Sequence, residues 1–109
     1  MDPIISIASL NSDPTTYVAV NRPCRLNKAI SVVTTTVTTN ETTLTLSDGT
    51  TTIGTITIAA GSTAGTIDEM SWAANVELDE DTPLKIVSSG TPGAGAVNVS
   101  LEFSQYHVG

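Results

Sequence analysis

Along the last strand-like stretch the chain alternates without a miss: Val97, Val99, Leu101 and Phe103 fall in one phase, Asn98, Ser100, Glu102 and Ser104 in the other. A period of two puts the apolar set on one face of a β-strand and the polar set on the other. No segment of ten or more residues shows the apolar spacing of about 3.6 that an amphipathic helix needs. The chain must therefore bury its apolar side chains from strands. Threonine supports the same reading, since its nineteen copies are β-branched and suit a pleated strand better than a helix. Aromatic residues are limited to Tyr17, Trp72, Phe103 and Tyr106, so the core must be built from Ile, Val, Leu and Ala.

A pass along the 109 residues finds one domain's worth of strands. Ile4, Ile5, Ile7 and Leu10 make a short strand, which Asn11, Ser12, Asp13 and Pro14 then break. Residues 1–16 thus read as an extended N-terminal arm that leaves its own sandwich, and 17–109 as the β-domain. Strand 17–20 ends before Pro23. Strand 28–38 carries Ile30 and Val32 in one phase and Val33 and Val37 in the other, which signals a bulge or burial on both faces. Leu44 and Leu46 point inward from the next strand, and Asp48-Gly49 then favours a tight hairpin. Ile56 and Ile58 share a face on the return, while Gly54 throws Ile53 out of phase and suggests a second bulge. Met70 and Trp72 are in phase in a strand over 66–72, and 84–88 follows the turn at Thr82-Pro83. Seven or eight short strands joined by turns predict an all-β fold, an antiparallel β-sandwich of Ig-like or jelly-roll-like type. Its expected core is Ile30, Val32, Leu44, Leu46, Ile56, Ile58, Val97, Val99, Leu101 and Phe103.

Charge and chemistry remove most function classes. A net charge of −7 with four Lys and Arg disfavours a nucleic-acid partner, because phosphates call for clustered cations. Three of those cations, Arg22, Arg25 and Lys28, share one stretch, either as a solvated strand edge or as a docking contact. Cys24 has no second cysteine to pair with and reads as a small buried residue. The N-terminus lacks the basic and apolar regions of a secretory signal, and no run is long enough for a membrane helix, so neither export nor a membrane partner is expected.

His107 is the one histidine and sits two residues from the last position, too poorly anchored to serve a Ser–His or Cys–His pair. With Cys24 it cannot close a zinc site. Glu77, Asp79, Glu80 and Asp81 crowd together, but Thr82-Pro83 follows where a calcium loop would place glycine, so a solvated acidic turn is expected. Asp68 and Glu69 are adjacent and would face opposite sides of a strand, which does not suit paired-carboxylate hydrolysis. No catalytic residue, cofactor or metal is expected.

Several phrases carry a resemblance. Pro23-Cys24-Arg25-Leu26-Asn27-Lys28-Ala29-Ile30 leads into the Thr-rich hairpin, followed by Ile53-Gly54-Thr55-Ile56-Thr57-Ile58, Ala64-Gly65-Thr66-Ile67 and Leu84-Lys85-Ile86-Val87-Ser88-Ser89-Gly90. Together, over Tyr17 to Phe103, these resemble small virion structural proteins of tailed bacteriophages of the marine and cyanobacterial type, some of which are capsid decoration, or cement, proteins. The resemblance implies a β-sandwich on the capsid exterior, commonly as a symmetric oligomer, with the major capsid protein as partner. A small chain with no disulfide and no secretory signal is further expected to assemble in the host cytoplasm and to work as a homo-oligomer, a trimer favoured. The contact residues expected from the chain's own physics are Ile4, Ile5, Ile7 and Leu10 of the arm with Arg22, Arg25 and Lys28. Ig-like adhesin repeats use the same strand grammar. The alternative is therefore a receptor- or carbohydrate-binding module of a phage fibre or adhesin, for which Trp72 and Tyr106 are the candidate aromatics and a buried Trp72 would count against.

Overall fold

The computed structural model of the chain describes residues 4–19, 24–74, 77–78 and 83–105. Among these residues there are ten strands and no helix. One sheet places β1 (Ile4–Ile7) beside β10 (Ala96–Gln105), then β3 (Cys24–Thr35) and β6 (Ile67–Glu69), with β8 (Glu77–Leu78) also on β3. The other runs β2 (Thr15–Val18), β9 (Leu84–Ser89), β4 (Thr42–Ser47), β5 (Thr52–Ile58) and β7 (Ser71–Trp72). Every pairing is antiparallel. The two sheets pack face to face as the antiparallel β-sandwich that the alternation predicts.

The inward faces supply the core. Leu44, Leu46, Ile56, Ile58, Leu84 and Ile86 come from one sheet, and Leu26, Val33, Val97, Val99 and Leu101 from the other. Burying each Leu, Ile or Val fully stabilises the fold by about 1.5–3 kcal/mol. Phe103 is only partly buried and packs against the margin of this cluster.

Ile30 and Val32 depart from the expected core. On β3 the inward residues are Cys24 and Leu26, then Ala29, Ser31 and Val33. The switch comes from a bulge: Phe103 faces Leu26 and Glu102 faces Lys28, which leaves Asn27 as the extra residue. One inserted residue reverses the phase of everything after it. Ile30 and Val32 therefore lie half-buried on the outer face. The second expected bulge is present on β5, where Leu46 faces Gly54 and Ser47 faces Thr52, with Ile53 as the extra residue. Ile53 is buried, and its carbonyl accepts hydrogen bonds from Ala73 N at 2.8 Å and Ala74 N at 3.1 Å.

The described part of the expected arm lies on the molecule's own sandwich. β1 pairs with β10 along its length, from Ile4 opposite Ser100 to Ile7 opposite Val97. Ile7 and Leu10 are buried in the core, and Leu10 N donates to Gly95 O at 2.9 Å. The boundary expected between residues 16 and 17 falls inside β2, which pairs with β9. The polar run 11–14 is a tether that carries the chain from one sheet edge to the other. Asn11 Oδ1 accepts from Gly93 N at 2.8 Å and Asp13 Oδ1 from Thr91 N at 3.0 Å. Those contacts fasten the segment to the loop before β10.

Met70 and Trp72 also part company. The expected strand over 66–72 is broken at Met70, whose N–H donates to Ala29 O at 2.9 Å while its side chain is buried. β6 before it belongs to one sheet and β7 after it to the other. This crossing brings the two sheets together on one side of the sandwich. On the opposite side β1 and β2 end their sheets, with no further strand beside them among the described residues.

Candidate functional site

The expected contact residues do not converge on one surface. Ile7 and Leu10 are core residues, so their side chains are not available to a partner. Ile4 is 69% exposed on the outer face at the free edge, while Ile5 points inward and is partly buried. Arg22 lies outside the described residues. Arg25 and Lys28 are exposed on β3, two strands away from β1, or about 9.6 Å at the usual strand spacing. Lys28 Nζ approaches Glu69 Oε1 at 3.9 Å, an exposed pair of little energetic weight. Asp79, Glu80 and Asp81 of the acidic turn, and His107 and Tyr106, lie outside the described residues.

Two surfaces do emerge. The first is the outer face of the β1–β10–β3–β6 sheet. Val32 stands opposite Ile67, which is 65% exposed, and Ile30 lies two residues along the same face. Ser100 separates Ile30 from Ile4 in the neighbouring row. Four apolar side chains on an outward sheet face form a strip, edged by Glu69, Glu102 and Lys28. Its outer limit is β1, an edge strand whose described residues contain no charge, proline or bulge.

The second is a concavity of about 520 Å³ lined by Arg25, Leu26, Asn27, Trp72, Ala73 and Ala74. It arises where β3 runs between two short partners. β8 covers Cys24 and Arg25, β6 covers Ile30 to Val32, and the edge over 26–29 faces the chain crossing to the other sheet. Arg25, Leu26 and Asn27 line it from β3, at the bulge that leaves Asn27 as the extra residue. Trp72 lines it from β7 and is 45% exposed. Its position is held by Gly54, which faces it in the ladder, and by the two hydrogen bonds to Ile53 O just beyond it. Trp72 and Arg25 were singled out by the sequence for separate reasons. Asn27 was missed, and its signal was the phase break in β3, visible in sequence but assignable to no single residue.

Among the described residues no group of three or more His, Cys, Asp or Glu side chains is placed to hold a metal ion, and no helix is long and apolar enough to cross a membrane. Cys24 is buried. Comparison of the chain with protein-family models, with curated proteins and with solved structures finds no match in any of the three.

Proposed function

We propose that this protein is a non-enzymatic capsid decoration protein, which attaches to the exterior of a phage shell and reinforces it as a homo-oligomer, a trimer favoured. The observation that carries the reading is the outer strip of Ile4, Ile30, Val32 and Ile67 running to the uncharged β1 edge. Edge strands in natural proteins are commonly guarded by charge, proline or a cover, and apolar surface left open beside one marks a protein interface. The resemblance of the strand phrases over 17–103 to virion structural proteins supplies the partner, the major capsid protein.

The physics of a shell suits such a chain. Many weak identical contacts on a symmetric surface add up to firm attachment through effective concentration, so each need bury little. A closed oligomer covers the open edges that a lone copy leaves exposed. The net charge of −7 keeps a coated particle soluble and repels free nucleic acid. Purified protein added to undecorated capsids should bind to saturation in proportion to shell symmetry and raise the temperature at which they rupture. Ile4→Lys with Ile67→Lys should abolish that binding while leaving the circular dichroism spectrum unchanged. A chain that remains monomeric and leaves the shells bare would refute the proposal.

A further inference from the structure

We propose that the free edges of the two sheets are the two halves of one joint between copies of this chain. β1 of one copy pairs antiparallel with β2 of the next, and three copies close into a ring about an axis along the strands. The inference names the contact between copies, and it rests on the assembly reading only for the number three.

β1 and β2 end their sheets on the same side of the sandwich, and they run in opposite directions. β1 ends and β2 begins beside loop 90–95: Leu10 N donates to Gly95 O just after β1, and Pro14 O accepts from Ser88 N just before β2. Rotation about an axis along the strands preserves those directions, so it lays β2 of one copy antiparallel to β1 of another. Alternate residues of an edge strand point N–H and C=O away from the sheet, and this pairing satisfies both rows. These two edges also differ from the other side of the sandwich. There β6 has three residues, two of them Asp68 and Glu69, β7 has two residues, and β8 carries Glu77. Short length and charge are the usual guards against edge pairing. β1 and β2 have four residues each, with no charge, proline or bulge.

Charge points to a second copy and to this mode of joining. A chain of net −7 repels its own copies, and these edges bring no acid of their own to the contact. Lys85 on β9 is the partner of Tyr17, and exposed Glu102 on β10 lies two residues beyond Ser100, the partner of Ile4. Joining β1 to β2 sets the lysine of one copy towards the glutamate of the next. Joining β1 to β1 would set Glu102 towards Glu102, and β2 to β2 would set Lys85 towards Lys85. The separation is about three strand spacings, ~14 Å, so these charges choose the mode more than they hold it.

Side-chain parity narrows the register. Ile4 and Ser6 face outward on β1, as do Thr15 and Tyr17 on β2. About an axis along the strands, the outer face of one copy's β1 sheet continues into the outer face of the next copy's β2 sheet. Outward residues therefore meet outward residues, with Ile4 opposite Tyr17 or Ser6 opposite Tyr17. In both registers Ile4 and Tyr17, 69% and 63% exposed in the single copy, become direct or diagonal neighbours. Neighbouring sandwiches in a three-copy ring stand about 120° apart, which leaves Ile30, Val32 and Ile67 uncovered for the shell.

Sedimentation of the purified full chain without capsids tests the joint. Each contact joins two short edges, so association is weak and should reach a three-copy species as the concentration rises to about 1 mM. Ile4→Lys and Tyr17→Glu should each raise the dissociation constant about ten-fold or more, with unchanged circular dichroism. Thr57→Lys, exposed on β5 away from both edges, should leave it unchanged. An equimolar mixture of Ile4→Lys with Tyr17→Glu should recover a two-copy species, because one supplies an intact β1 and the other an intact β2. A parent chain that stays monomeric, a Tyr17→Glu variant that still assembles, or a mixture that stays monomeric overturns the joint. Parent assembly that stops at two copies overturns the ring of three. Rings that form but leave capsids bare refute the decoration reading and support the joint, whereas monomers that coat capsids do the reverse.

Discussion

Gly54 is where a single methyl group tests both the fold and the site. It lies buried in β5, opposite Trp72 of β7, and a Cβ built on it would stand 2.5 Å from Ser71 O and 2.7 Å from Met70 Sδ. Two effects oppose each other in Gly54→Ala. Strand propensity favours alanine by about 0.5–1 kcal/mol, because glycine loses more backbone freedom on folding. Steric overlap works the other way. Real Cβ contacts essentially never fall below 3.0 Å, so the Ser71 carbonyl must withdraw by about half an ångström, and it is backbone rather than the end of a flexible chain. Overpacking of this kind costs about 1–3 kcal/mol, and a backbone obstacle places it in the upper part of that range. The overlap wins, and the net loss is about 1–2 kcal/mol. With an unfolding entropy of about 2.1 cal/mol/K per residue over 109 residues, the melting temperature should fall by about 4–9 °C. Urea unfolding followed by circular dichroism gives the stability, and Trp72 emission gives the displacement of β7. A midpoint equal to or above that of the parent protein would show that β7 yields freely and that the concavity has no fixed wall.

The N-terminal segment separates two roles within a few residues. Leu10→Ala should destabilise the protein by about 2–5 kcal/mol in urea titrations, whereas Ile4→Ser should stay within about 0.5 kcal/mol, since one side chain is buried and the other stands in solvent. Equal effects from the two would mean that β1 is not seated on β10. At the β4–β5 hairpin, the Asp48 carboxyl is held below its ordinary pKa by the N–H groups of Thr51 and then Thr50, at 2.6 and 2.8 Å. A depressed carboxylate contributes stability above its unfolded pKa of about 3.9 and loses it as the pH falls through the lower folded value. The amide shifts of Thr50 and Thr51 should therefore titrate together below about pH 4 and become flat in Asp48→Ala.

How much of this was legible depended on where the period of two ran unbroken. Val97, Val99 and Leu101 were readable because β10 holds one phase through its apolar stretch. Leu44, Leu46, Ile56 and Ile58 were readable for the same reason on either side of Asp48-Gly49. Ile30 and Val32 were misplaced because the bulge at Asn27 leaves no mark except a phase conflict, which two different structures would explain equally well. Met70 and Trp72 looked like one strand because two residues apart is also the spacing across a chain that changes sheets. Asn11 and Asp13 looked like a break because polar turn residues read alike whether they face water or bind a loop far along the chain. The site was legible only in pieces: Trp72 as an aromatic, Arg25 as a charge, Asn27 not at all. What joins them is tertiary, a gap between two short strands on one sheet edge, and no local pattern encodes it.

The strand order also dictates when each strand can find its partner. β3 to β7 neighbour one another in sequence and include pairs that can form as soon as they leave the ribosome, β3 with β6, β4 with β5 and β5 with β7. β1 and β2 must wait, because their partners are β10 and β9, the last two strands in chain order. β10 also lies between β1 and β3, so the middle of one sheet arrives last. Non-local pairing of this kind slows folding. Through that interval Ile4, Ile5 and Ile7 remain unpaired on a nascent chain and can join a neighbour's strand instead. Slower synthesis lengthens that window, so translation rate and temperature, as much as equilibrium stability, set the yield of correctly folded protein.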